Sequence, residues 1–125
     1  MNASTVKLLM AHAPTGRLPD MPIEASNITS GDPVARGAVL AQTTDRRVTS
    51  GVWSCEPGSF DWEYTWDEFV YILEGEVTIT EVGGDSYTLS PGDIGHFPLG
   101  LRAQWKVTKA VRKFFVLRTP EPFNL

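Results

Sequence analysis

At 125 residues and a formal net charge of −4, the chain fits a single domain and lacks the basic surplus with which proteins grip nucleic-acid phosphates. Its 42% apolar and 21% charged residues are those of an ordinary globular protein, and no apolar run approaches the ~20 residues of a membrane span. The single cysteine, Cys55, excludes an intrachain disulfide and suits a reducing compartment. A cytoplasmic protein with no nucleic-acid and no membrane partner is therefore expected, and Met1 to Met10 lacks the basic flank and long apolar run of a signal peptide.

In chain order, Thr5 to Met10 reads as a short strand. Pro14, Pro19, Pro22 and Pro33 then forbid a helix, because each fixes its own φ and restricts its predecessor. Residues 1–37 are accordingly expected to form an arm packed on a barrel made by residues 38–125. Short β-rich runs follow: Val39–Thr43, Val48–Cys55, Phe69–Leu73, Val77–Thr80, Tyr87–Leu89, Ile94–Phe97, Ala103–Val107 and Val111–Leu117. Turn residues separate them at Pro57-Gly58, Glu74-Gly75, Gly83-Gly84-Asp85, Pro91-Gly92-Asp93 and Pro98-Leu99-Gly100. No helical period is sustained, so the chain is all-β, a sandwich or a barrel. The pairs Arg46-Arg47 and Arg112-Lys113 read as solvated surface.

Two stretches carry more information. Glu68 and Gly75 bracket the run Glu-Phe-Val-Tyr-Ile-Leu-Glu-Gly, and Gly92, Pro98 and Gly100 punctuate Pro91 to Gly100. In this order and about 20 residues apart, they resemble the two sequence motifs of the cupin superfamily. The stretches Phe60–Tyr64, Tyr71–Val77, Gly100–Val107 and Val111–Lys113 are most similar to small single-domain cupins grouped with ureidoglycine aminohydrolase-like and ethanolamine-utilization cupins. The resemblance implies a single RmlC-like jelly-roll β-barrel and a homodimer.

The resemblance also implies where a metal would sit. The cupin pattern puts two histidines before the glutamate and a third after the second-motif glycine. Here the first two positions fall on Trp62 and Tyr64, or in the other register on Asp61 and Glu63, and the third falls on Ala103. Only Glu68 remains of the usual ligands, so neither a metal nor another cofactor is expected. The subgroup match favours the aromatic register, with Trp62 and Tyr64 turned inward.

Residues two apart on a strand share a face. An inward face carrying Trp62 and Tyr64, another with Glu68, Val70 and Ile72, and a third with Ala103 and Trp105 would enclose an apolar small-molecule pocket with few polar groups. Glu68, desolvated there, has two readings: a general acid or base assisted by Tyr64, or a structural carboxylate bonded to Tyr64 or paired with Arg102 or another cation. His96 reads either as a proton carrier in the pocket or as a packing residue. Trp62 and Trp105 are candidate ligand-binding walls, and Arg102 is a candidate anion contact at the mouth or a surface residue. Cys55 reads as an inert apolar residue.

Three functions fit. One is a metal-independent enzyme on a small polar metabolite, using Glu68, Tyr64 and His96. The second is a non-catalytic small-ligand-binding or sensor domain. The third is an atypical metal enzyme built on the Asp61/Glu63 register. Fold alone does not choose among them.

Overall fold

The computed structural model describes residues 6–124. Eight strands form in chain order: β1 (Ile28–Gly31), β2 (Ala35–Gln42), β3 (Val48–Cys55), β4 (Gly58–Glu63), β5 (Asp67–Glu81), β6 (Ser86–Leu89), β7 (Ile94–Phe97) and β8 (Arg102–Arg118). All named pairings are antiparallel. The only helical element among the described residues is one 3₁₀ turn, Ala25–Asn27, so no helix there is long and apolar enough to cross a membrane.

The two longest strands organise the rest. Runs that read as separate strands on either side of Gly75 are one strand, β5, and those on either side of Lys109 are one strand, β8. The N-terminal half of β5 pairs with β7 and with Arg112–Arg118 of β8, which in turn pairs with β3 and then β2. The C-terminal half of β5 pairs with β6 and with Ala103–Val107 of β8, which in turn pairs with β4 and then β1. Two five-stranded sheets thus share β5 and β8 and fold over each other as a jelly-roll barrel, as the resemblance implies.

Gly75 is the hinge of this arrangement. The β5–β8 register slips between Ile72 and Val77, and inward parity changes with it, from Glu68, Val70 and Ile72 to Val77 and Ile79. At the slip Gly75 has φ +82, and a Cβ there would lie 2.0 Å from the Ala110 carbonyl oxygen. Only glycine lets the two backbones cross so closely. Gly92, at φ +94, has open space where a Cβ would go, so it is required for its dihedral alone.

The arm is shorter than expected. β1 and the first residues of β2 lie inside the segment read as arm, so the sheets begin at Ile28. Upstream, Met21 N–H donates to Ala35 O and Gly37 N–H to Pro19 O, each at 3.0 Å, extending the β2 edge. Arg112 donates from both terminal nitrogens, to Pro14 O and Gly16 O at 2.7 Å each. Arg112 is therefore an anchor for the arm, contrary to its reading as solvated surface. Its parity explains the difference: it alternates onto the outer face of β8, where the arm crosses and buries Leu18. The strand expected at Thr5–Met10 is not formed by Val6–Met10, which are exposed and join no sheet, and Thr5 lies outside the described residues.

Gly75→Ala should lower unfolding stability by roughly 3 kcal/mol or more, combining overpacking with left-handed strain. Gly92→Ala should cost only about 1–2 kcal/mol, from the dihedral alone. Urea denaturation of the two variants checks the difference, and equal losses would contradict the crossing argument.

Candidate functional site

Between the sheets lies a cavity of about 150 Å³. Alternation aims its walls. On β4, Phe60 and Trp62 point inward while Asp61 and Glu63 are exposed. Tyr64 continues the inward series past the strand end, because its N–H donates to Leu101 O at 2.8 Å and its carbonyl accepts from Gly100 N–H at 2.7 Å. The turn around Gly100, at φ +94, thereby fixes Tyr64. Trp105, Lys113, Phe115 and Leu117 come from β8, Trp53 from β3 and Glu68 from β5. Met21, Pro22 and Ile23 of the arm and Phe123 of the C-terminal tail close the mouth.

The rings pack on one another. Phe60 stacks on Trp105 at 5.9 Å, Tyr64 stacks on Phe97 at 5.1 Å, and Trp53 meets Trp105 edge-on at 5.8 Å. These spacings are those of favourable aromatic pairs. Trp105 Nε1–H donates to the Tyr64 hydroxyl oxygen at 3.0 Å, so the phenol accepts from the wall and has its own proton to give. Burial, and then the Glu68 charge, holds the Tyr64 pKa well above 10. The phenol is thus a neutral hydrogen-bond donor at physiological pH.

The polar centre is an ion pair. Lys113 Nζ lies 2.7 Å from Glu68 Oε2, and the two residues are 7% and 5% exposed. The other carboxylate oxygen, Oε1, accepts from Trp66 Nε1–H at 3.0 Å. The ammonium also sits over the rings of Trp53 and Trp105, at 4.5 and 4.6 Å from their centroids. A buried charge needs such compensation, and here each partner finds it in the other. Cys55 is buried nearby, its thiol pushed up to about 12 by desolvation against the opposing pull of Lys113, which makes it a poor nucleophile.

The structure brings together Trp62, Tyr64, Glu68 and Trp105 at the cavity. It places two of the other sequence candidates elsewhere. His96 pairs with Phe69, which alternates outward from Glu68, and its imidazole stacks on that ring at 4.4 Å with a side chain 51% exposed. Arg102 is exposed at the start of β8, alternating outward from buried Ala103. Neither lines the cavity, so the pocket roles weighed for them have no geometric basis. Asp61 and Glu63 point away as well, so the carboxylate-rich metal register does not form.

Sequence reasoning missed Lys113, Trp53 and Trp66. The signal for Lys113 was present: it shares parity with Val111, Phe115 and Leu117, all buried. Trp53 likewise shares parity with Cys55. Trp66 lies in the β4–β5 loop, where no period applies.

A metal does not fit this donor set. Indole, phenol and methyl groups occupy the places where the cupin pattern puts imidazoles. Both Glu68 oxygens are engaged by Lys113 and Trp66. No group of three or more His, Cys, Asp or Glu converges among the described residues.

The EutQ-like cupin domain family matches residues 42–115. A DUF861 family protein from Thermotoga maritima is 45% identical over 51% of this chain and 73% of its own length, with a TM-score of 0.50. A DUF861 family protein of unknown function from Pseudomonas syringae pv. tomato is 28% identical over 79% of this chain and 43% of its own, with a TM-score of 0.73. The Clostridium difficile EutQ protein, 21% identical over 79% of this chain and 81% of its own, supports the fold with a TM-score of 0.63. No curated protein matches. With more than half of its length inside the family match and a 45% identical relative in the same group, the chain belongs to the EutQ-like cupin domain family.

Proposed function

We propose that the cavity binds a small, uncharged, largely apolar molecule carrying one hydrogen-bonding oxygen, and that Glu68 serves to keep Lys113 buried rather than to act on the ligand. The observation that carries this reading is the full engagement of Glu68: Lys113 at 2.7 Å on one oxygen and Trp66 at 3.0 Å on the other. A carboxylate so held offers no free base to a substrate. With one positive and one negative charge paired, the cavity has no net charge to attract an ion, and an ionic ligand entering it would lose its hydration without a free counter-ion. The Tyr64 hydroxyl supplies a donor for the ligand's oxygen. A volume of about 150 Å³ is close to that of an engineered apolar cavity of the size that takes up benzene. Among the three readings open from sequence, this arrangement supports the binding domain over the metal-independent enzyme, whose His96 lies outside the cavity that holds Glu68 and Tyr64.

Three probes of one size and different charge test the reading: benzyl alcohol, benzoate and benzylammonium. Benzyl alcohol is expected to raise the melting temperature, because a ligand of the native state stabilises it by mass action. It should also bind at least about tenfold more tightly than either ion, a difference of about 1.4 kcal/mol. Equal shifts with benzoate, or no shift with benzyl alcohol, would overturn the proposal.

The ion pair makes its own prediction. Lys113→Met alone should lower stability by about 3–5 kcal/mol, because it strands a buried carboxylate. Glu68→Leu combined with Lys113→Met should recover most of that loss. A double-mutant cycle in urea reads the coupling, and additive losses would refute it.

Tyr64 adds a pH dependence. Its folded pKa is raised, so above the unfolded value near ~10 the unfolded chain releases a proton that the folded chain retains. Stability should therefore fall as pH rises past that value. Tyr64→Phe should flatten this alkaline limb, as measured by thermal melts between neutral and alkaline pH.

A further inference from the structure

We propose that Lys113 is a carbonyl-capturing lysine, forming a reversible imine with small aldehydes that enter the aromatic cavity. The inference rests on the binding reading above and adds a covalent step to it. Lys113 is the amine that lines the cavity, and it is desolvated among Trp53, Trp105 and Phe115. Lysines in such apolar pockets are the ones that serve as imine-forming nucleophiles.

The neighbours suit each stage. Glu68 Oε2, 2.7 Å from Nζ, is placed to take the ammonium proton and leave a free amine beside a carboxylic acid. The amine nitrogen then attacks the carbonyl carbon, whose oxygen can accept from the Tyr64 hydroxyl. A C–N bond forms, and a proton passes from nitrogen to the carbonyl oxygen to give a carbinolamine. The Glu68 carboxylic acid protonates the hydroxyl, the C–O bond breaks and water leaves. The sum is lysine ammonium plus aldehyde giving protonated imine plus water, with no change of oxidation state.

The product charge matches the starting charge. A protonated imine at Nζ lies where the ammonium lay, over the Trp53 and Trp105 rings and against the Glu68 carboxylate. The cage that holds the resident cation therefore holds the product cation too. Glu68 reaches the guest only after that guest is covalently joined to Lys113, so a non-covalently bound ligand still meets a fully engaged carboxylate.

The test uses benzaldehyde with sodium cyanoborohydride at neutral pH, followed by intact mass and peptide mapping. The chain has four lysines, Lys7, Lys106, Lys109 and Lys113, and the first three are exposed. Setting aside the N-terminal amine, which also reacts at neutral pH, the expected result is one benzyl group among the lysines, placed on Lys113 at least about tenfold faster than on the exposed ones, against the order that accessibility alone would give. Tyr64→Phe should slow labelling at Lys113 and leave the exposed lysines unchanged, and excess benzyl alcohol should compete. Because mapping is done on the unaltered protein, the result does not depend on whether Lys113→Met folds. Labelling of Lys113 no faster than of Lys106 and Lys109 overturns the inference. If benzyl alcohol still raises the melting temperature in that case, the binding reading stands without it. If neither compound binds, both fail.

Discussion

A primary ammonium in the middle of a barrel lined with indole and phenyl rings is tolerable only if its charge is answered where it sits. Lys113 is answered by Glu68 and by two ring faces, and Glu68 in turn is steadied by Trp66. Much of the interior follows from this pair. It fixes the rotamer of a carboxylate that would otherwise be free for chemistry, and it brings β5 and β8 into side-chain register as well as backbone register. It also makes the hollow electrically neutral. In this fold the corresponding space is commonly organised around an ion held by imidazoles. Here a side-chain cation on β8 supplies the positive charge.

The backbone prepares the pair from a distance. Because β5 and β8 run through both sheets, a change in their crossing at Gly75 would shift every inward side chain at once. The slip in register there lets Glu68 and Ile79 both face inward although they differ in parity. The turn at Gly100 does a smaller version of the same task. It holds the backbone of Tyr64 beyond the end of β4, so the phenol continues the wall begun by Phe60 and Trp62. Glycines that read in the sequence as punctuation are thus the points at which sheet geometry sets the cavity.

The barrel was legible because its signals are local. Alternation and turn residues gave most of the strands, and the paired motifs around Glu68, Gly75 and Gly92–Gly100 gave the family. The aromatic register, with Trp62 and Tyr64 inward, came from the subgroup resemblance and not from the residues alone. Long-range facts were harder. Nothing local says that Phe69–Leu73 and Val77–Thr80 are one strand, since a glycine between two runs looks the same whether the chain turns back or bends. Arg112-Lys113 looks like a surface pair by charge alone. Alternation with Phe115 and Leu117 already assigns the two residues to opposite faces, one under the arm and one in the core. For His96, which sequence leaves open between pocket and packing, pairing with Phe69 decides for packing outside the cavity. Trp66 carries no periodic signal and became visible only through its bond to Glu68.

The mouth of the cavity is built from two segments remote in sequence. Met21, Pro22 and Ile23 come from the arm, and Phe123 comes from the tail, tied by Arg46 O at 2.8 Å and by Gln42 Nε2 at 3.1 Å and set against Trp66. Neither segment belongs to the paired core of the sheets, so each can lift by giving up a few hydrogen bonds while the barrel stays closed. For a guest held as proposed, equilibrium occupancy would follow from the interior and residence time from these two flaps. Sequence drift in the flaps could retune how fast a guest comes and goes while leaving the selectivity of the chamber intact.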